Sequence, residues 1–191
     1  ARDGAETVRR LRQFGSGDDS DTPGSVDLDA VVREAVEFTR PRWNNAGEAG
    51  DAHVRVEVES LPGAWVRGTP AHLREVFTNL ILNSVDALPQ GGRIRLGSTT
   101  REDSIKAFVE DDGVGMSPET RQHVFEPFYT TKGIAGTGLG LSMVYGIVKH
   151  HGGTIDVHSR PGYGTRIEMS FPRAAAQALA PIPPAAPAPA S

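Results

Sequence analysis

Four short signatures occur in a fixed order along the chain: Asn79-Leu-Ile-Leu-Asn83, Asp111-Asp-Gly-Val-Gly115, Phe125-Glu-Pro-Phe128 and Gly136-Thr-Gly-Leu-Gly140. A lone glycine pair marks a turn and a lone asparagine marks a loop, so no single signature is specific. Chance rarely supplies all four in sequence. They fall on a helix face, at a strand end, in an irregular stretch and at a helix start, and the order restricts the fold more than any one of them does.

Hydrophobic periodicity supplies the elements between them. Asp27 or Asp29 caps a helix that carries Leu28, Val31, Val32, Ala35 and Phe38 and ends before Pro41. The alternation of Val54, Val56 and Val58 predicts a half-buried strand over 53–59. Thr69 as N-cap with Pro70 at the first helical position starts a second helix, whose Leu73, Val76, Phe77, Leu80, Val85 and Leu88 face a sheet, and Pro89-Gln-Gly-Gly92 ends it. Strands over 93–99 and 104–110 form an antiparallel pair, 116–138 is irregular, and 139–150 is a helix stopped by Gly152-Gly153 with His150 and His151 as caps. A hairpin follows, 154–159 with 165–171 around Pro161-Gly-Tyr-Gly164. This mixture predicts an α+β fold, a two-layer sandwich with a mixed, mostly antiparallel sheet covered by helices on one face.

With 191 residues and 38% hydrophobic content, the chain has material for one core with flanking segments. Residues 3–14 place Val8, Leu11 and Phe14 on one helix side, with Arg9-Arg10-Leu11-Arg12 as a solvated face. Residues 15–25 are a polar, glycine-broken linker, 26–172 the folded domain, and 173–191 a disordered tail of alanine and proline. A net charge of −4 argues against a nucleic-acid surface, which needs a basic excess. No window approaches the roughly 20 apolar residues of a membrane helix, so no membrane contact by this segment is expected. The absence of cysteine excludes disulfides and thiolate metal sites and fits a cytoplasmic, reducing compartment, with any anchor upstream of Ala1.

The chemistry concentrates at the signatures. Asn79 and Asn83 stack on one helix face with Glu75 and Asp86, although asparagine is a mediocre helix former. An amide oxygen at Asn83 suits Mg²⁺ whose other positions go to phosphates and water. Asp111 ends a strand on the side of Ile105, Ala107 and Val109, which turns its carboxylate toward the core, where it needs a donor; an adenine amine supplies one. Gly113 and Gly115 let the backbone approach the ring. Gly136, Thr137, Gly138, Leu139 and Gly140 open a helix, so that backbone amides and the positive dipole end face an anion. No Gly-Lys-Ser/Thr follows, so this is not a Walker A loop. The stretch 116–135 then becomes a lid over phosphates, with Lys132 as a point charge and Phe125, Phe128 and Tyr129 clamping it to the body. No serine or cysteine triad pattern and no histidine cluster with ligand spacing is present.

With these residues in hand, the chain resembles, from about Val26 to Pro172, the catalytic ATP-binding domain of two-component sensor histidine kinases. Asn79–Asn83 looks like the family's N box, Asp111–Gly115 its first glycine box, Phe125–Phe128 its F box and Gly136–Gly140 its second glycine box. Gly164-Thr165 resembles the last glycine motif. The phrases Phe128-Tyr-Thr-Thr-Lys132 and Leu141-Ser-Met-Val-Tyr-Gly146 are most similar to the nitrogen-regulation class and to hybrid kinases.

The resemblance implies the Bergerat ATP-binding fold with ATP and Mg²⁺ as cofactors, Asn83 on the metal, Asp111 on adenine, 116–138 as ATP lid and Thr165 among the nucleotide contacts. It implies transfer of the γ-phosphoryl to a histidine on a dimerisation hairpin, and onward to a response regulator receiver domain. Related gyrase, chaperone and mismatch-repair ATPases carry a water-activating glutamate where Asn79 stands, and an amide cannot serve as that base. The chain departs from the family at its front: no histidine stands in a phosphoacceptor context, and 1–14 resembles only the end of the second hairpin helix. A homodimer is therefore expected only in a longer parent. A regulatory module that binds nucleotide without phosphotransfer, or a gyrase- or chaperone-type ATPase, is the alternative.

Overall fold

The computed structural model describes residues 23–44, 53–59, 63–133 and 136–174. The expected helix over 3–14, most of the linker and nearly all of the tail lie outside the described residues. The elements run β1 (Gly24–Asp27), α1 (Leu28–Asn44), β2 (Val54–Val58), β3 (Trp65–Gly68), α2 (Pro70–Asp86), β4 (Gly92–Thr100), β5 (Ser104–Asp111), α3 (Pro118–His123), α4 (Gly140–His150), β6 (Thr154–Ser159) and β7 (Thr165–Pro172). Five strands form one sheet in the order β2-β4-β5-β7-β6, with β2 parallel to β4 and the remaining neighbours antiparallel. The parallel pair needs a crossover, which α2 supplies.

Helices α1, α2 and α4 cover one face of this sheet and enclose the core. Phe77, Leu73, Leu80 and Ile81 of α2 and Val144, Ile147 and Val148 of α4 pack over Ile94, Leu96, Ile105, Val109, Ile167, Met169 and Phe171. The other sheet face carries a ladder of charges instead of a second helix layer. Arg95 bonds Glu59 at 2.6 Å and lies 3.6 Å from Glu110, Arg166 bonds Glu110 at 2.6 Å and Glu168 at 2.8 Å, and the Arg166 guanidinium lies over the Phe108 ring. This alternation of apolar inward and charged outward positions produces the expected two-layer α+β sandwich.

Several local expectations change. The polar composition of 15–25 reads as linker to its end, but Gly24–Asp27 forms strand β1 against β3, an element that its four-residue length hides from periodicity. Likewise the tail begins later than 173, because Ala174 N donates to Trp65 O and Arg173 pairs with Val66. Asp27 is the cap of α1, with Oδ1 accepting from Asp29 N at 3.0 Å, whereas Asp29 pairs with Arg33. The helix does not end before Pro41 but carries it inside the last turn. The lost bond falls on the carbonyl of exposed Glu37, which water can satisfy, while Trp43 anchors the turn through Thr39 and the core. Phe38, expected inside, is 73% exposed, because buried Thr39 lies at the centre of the Leu28, Val32, Ala35, Val36 stripe.

Helix α2 starts at Pro70, with Thr69 in extended geometry but without a side-chain cap bond. Its entry is tied down by a histidine from the far end of α4. His151 Nδ1 lies 2.7 Å from Ile147 O, and Nε2 accepts from Thr69 N at 3.2 Å. A carbonyl only accepts, so Nδ1 carries the proton and the ring is neutral. The cap role expected of His151 is thus realised, with a second bond that joins α4 to α2 and β3. Burial lowers its pKa, and the neighbouring His72 and His150 act in the same direction.

No helix among the described residues is long and apolar enough to cross a membrane. A lowered folded-state pKa means that the His151 contribution to stability is complete above about 6.5, the unfolded value, and is lost as pH falls from there toward the folded value. Urea denaturation at pH 7.5 and 5.5 should therefore show a lower midpoint at the acid pH. His151→Gln should flatten that difference while lowering the midpoint at pH 7.5.

Candidate functional site

A pocket opens between α2, the ends of β5 and β7, and the start of α4. Its apolar walls are Leu80, Ala87, Val109, Met116, Leu141 and Ile167, and its polar residues are Asn83, Ser84, Asp111 and Thr165. With the open solvent at its mouth included, it spans about 330 Å³.

Asp111 is 6% exposed at the base. Oδ1 accepts from Gly113 N at 3.0 Å and Thr165 N at 3.2 Å, and Oδ2 accepts from Ser84 Oγ at 3.0 Å. Burial raises its pKa, the three donors pull it down and the nearby Asp112 charge pushes it up, and it stays raised on balance. The strand alternation that points Asp111 inward is the one expected from Ile105, Ala107 and Val109. Ser84 was not expected: it follows Asn83, and its signal is a small polar residue at the inward spacing Leu80, Ser84.

The glycines beside Asp111 serve the protein's own backbone. A Cβ at Gly113 would lie 2.3 Å from Ala87 O, and one at Gly115 would lie 2.0 Å from Arg160 O. The loop after β5 therefore seats directly on the end of α2 and on the β6–β7 turn. Gly164 is tighter still, with φ near +78° and a would-be Cβ 1.9 Å from Asp111 O. Thr165 is thereby pressed against Asp111, and its Oγ1 lies 2.9 Å from Ser159 Oγ.

Asn79 and Asn83 project from α2 toward the start of α4: a Cβ at Gly140 would lie 3.3 Å from Asn79 Oδ1 and 3.6 Å from Asn83 Nδ2. Asn79 Nδ2 donates to Glu75 O at 2.9 Å. Lys132 reaches across from the 116–138 segment and donates to Asp86 Oδ2 at 2.7 Å and to Asn83 Oδ1 at 3.3 Å. Arg42 approaches Asp86 from the other side at 3.9 Å. These pairs are well exposed, and a surface ion pair is worth about 0–1 kcal/mol, so the segment is held lightly at this end.

Gly136, Thr137, Gly138 and Leu139 precede α4, which begins at Gly140 with no side-chain cap bond. Thr137 Oγ1 stands 3.5 Å from Leu139 N, and Gly138 O accepts from Phe128 N at 2.9 Å. Phe128 has φ near +67° and a ring that is 70% exposed. Of the three aromatics expected to clamp this segment, Phe125 packs against the core and Tyr145, Tyr129 lies beside His123, and Phe128 is largely exposed. The stretch is also less irregular than expected, since Ser117 caps the short helix α3 by accepting from Thr120 N.

Among the described residues, no group of three or more His, Asp or Glu side chains forms a metal site. The donor set does fit a hard cation with few protein ligands: Asn83 Oδ1 already faces a cationic ammonium, and Asp86 lies one turn on.

Residues 68–175 match the family described as histidine kinase-, DNA gyrase B-, and HSP90-like ATPase. The chain is 39% identical over 165 residues to sporulation kinase A of Bacillus subtilis (strain 168), covering 76% of this chain and 27% of that protein. It is 34% identical over 150 residues to sensor histidine kinase ZraS of Klebsiella oxytoca, covering 78% of this chain and 31% of that one. The chain thus spans about a quarter to a third of the length of these curated relatives. Among solved structures, the mycobacterial sensor histidine kinase MprB superposes with a TM-score of 0.66 at 27% identity, covering 79% of this chain and 97% of that one. Full-length ShkA in complex with AMPPNP gives 0.69 at 26% identity, covering 81% and 32%. The two-layer sandwich is the Bergerat fold, and the chain belongs to the histidine kinase-, DNA gyrase B- and HSP90-like ATPase family as an ATP-binding catalytic domain of the sensor-histidine-kinase type.

Proposed function

We propose that this chain is the phosphodonor module of a sensor histidine kinase, which binds Mg²⁺-ATP and passes its γ-phosphoryl to a histidine on a dimerisation hairpin, for onward transfer to a response regulator receiver domain. The observation that carries this reading is the buried Asp111 carboxylate at the base of a pocket that opens beneath Asn83 and the start of α4. The pocket takes the adenine, with its amine donating to Asp111 and with Gly113, Gly115 and Thr165 around the ring. The phosphates then lie toward the Gly136–Gly140 amides, where the dipole of the eleven-residue helix α4 favours negative charge.

Asn83 is the proposed metal ligand, with Asn79 and Asp86 on the same helix face. The metal, when bound, supplies charge stabilisation on the phosphates, and the protein positions them. Lys132 moves from Asp86 and Asn83 to the phosphates as the 116–138 segment closes. The amide at position 79 has no capacity to activate water, which favours transfer over hydrolysis. In this reading residues 1–14 end the second hairpin helix, 15–23 link it to the domain, and the residues after 174 are an alanine- and proline-rich tail. Dimerisation belongs to the hairpin, and the parent places this module on the cytoplasmic side.

The direct test supplies a separate hairpin polypeptide bearing its histidine, together with γ-labelled ATP and Mg²⁺. Acid-labile, alkali-stable label on the hairpin is expected; nucleotide binding without label supports a regulatory module instead, and rapid phosphate release an ATPase. Asn83→Ala should weaken Mg²⁺-dependent ATP binding at least about tenfold in calorimetric titration, the equivalent of about 1.4 kcal/mol, with an unchanged melting temperature.

Asp111→Asn should separate stability from binding. With its folded-state pKa raised, Asp111 favours the fold while protonated, that contribution is lost as pH rises through the folded value, and ionising the buried group carries a cost. The neutral amide lacks that cost, so the variant should melt no lower than the parent at pH 7. Its ATP affinity should fall about 10- to 100-fold, the range of a hydrogen bond to a charged group.

A further inference from the structure

The loop from Phe128 to Gly138 is closed on itself. Phe128 N donates to Gly138 O at 2.9 Å, and Lys132 N donates to Thr130 Oγ1 at 3.1 Å. A Cβ at Gly136 would lie 2.2 Å from that same Thr130 oxygen and 3.0 Å from Lys132 Cβ, so the two arms of the loop touch. Lys132 stands beyond this neck, and its side chain ties the tip of the loop to α2. Nζ donates to Asp86 Oδ2 at 2.7 Å and to Asn83 Oδ1 at 3.3 Å.

An ammonium carries donors only, so the atom that Asn83 turns toward it is the amide oxygen, the group proposed for the metal. Two cations brought to one oxygen repel each other, and Lys132 and a metal at Asn83 therefore exclude one another. The stronger hold on the ammonium is Asp86, because its bond is short and charged at both ends, while the bond to the neutral amide is long. Arg42 approaches the other oxygen of Asp86 at 3.9 Å, so the carboxylate keeps a cation nearby when Lys132 departs.

We propose that Asp86 is a positioning residue that latches the 128–138 loop to α2 before nucleotide binds: it keeps the Lys132 ammonium on the Asn83 oxygen until Mg²⁺-nucleotide displaces it, an inference that rests on the assignment of Asn83 to the metal. The chain's own cation thus competes with the metal for one ligand. Lys132 and Asp86 are both substantially exposed, and an exposed pair is weak, so the latch tunes affinity by about two- to fivefold and does not decide whether nucleotide binds.

The sequence makes the latch measurable without nucleotide. The chain has three lysines, of which Lys106 lies in strand β5 and Lys149 in helix α4. A lysine-specific protease must take the side chain into its own pocket, so cleavage after Lys132 reports how often that residue is off Asp86. In the whole chain, Asp86→Asn should speed this cleavage about two- to fivefold, and high salt should remove the difference. Calorimetric titration gives the second readout. Asp86→Asn should bind Mg²⁺-ATP about two- to fivefold more tightly than the parent, and the gain should shrink in a Lys132→Gln background. A gain of equal size in that background is the general effect of removing a negative charge near phosphates, and overturns the latch. Weaker binding by Asp86→Asn makes Asp86 a support of the metal and also overturns it. Unchanged affinity in Asn83→Ala overturns the metal assignment and the inference with it. Weakened binding in Asn83→Ala, together with unchanged cleavage in Asp86→Asn, leaves the metal assignment standing and overturns the latch alone.

Discussion

The Asp111 carboxylate is the point at which three elements meet. It ends β5, accepts from the backbone at the start of β7 and in the loop after β5, and takes the Ser84 hydroxyl of α2. Removing a carboxylate from water is costly unless donors replace the solvent, and here three do so without neutralising the group's burial. Gly113 and Gly164 exist at their positions because the backbone must come within van der Waals contact of Ala87 and Asp111 for those donors to reach. The pocket therefore owes its shape to the way the protein satisfies one buried charge.

Around that anchor the molecule divides into a rigid and a lightly held part. The apolar interior of α1, α2, α4 and the five-stranded sheet has no buried side-chain polar atom without a partner among the described residues, and His151 ties the far ends of α2 and α4 together. The 116–138 segment meets this body through Phe125, the Phe128–Gly138 backbone bond and the exposed Lys132 pairs. Such contacts open at small cost. A well-packed pocket beside a loosely tethered segment is what the proposed function needs, since such a site must admit a nucleotide, close, and then expose the γ-phosphoryl to another polypeptide.

Much of this is legible in the sequence. The alternation in β2, β4, β5, β6 and β7 and the stripes of α2 and α4 report which side faces the core, because a period of two or of 3.6 is a direct record of burial. Strand β3 was not legible, since four residues give too little period, and neither was β1, which looks polar until it pairs. Pro41 misled because the rule against proline in helices assumes an interior turn, while here the last turn is held by Trp43 and Thr39. Phe38 misleads because a large apolar residue near a stripe looks like part of it, although Thr39 occupies the centre.

The sequence by itself determined the class of the fold and the faces on which its candidate residues lie, because both depend on residue type and spacing: Asn79 and Asn83 share a face by helical geometry, and Asp111 points inward by strand alternation. Only the tertiary structure decided how they are used together. That Ser84 and Thr165 reach Asp111, that Ser159 stands behind Thr165, and that Lys132 spans to Asn83 and Asp86 across 46 to 49 residues depend on strand order and on close backbone approaches. Hydrogen bonds are short-ranged and directional, so partners distant in sequence become visible only once the chain has packed.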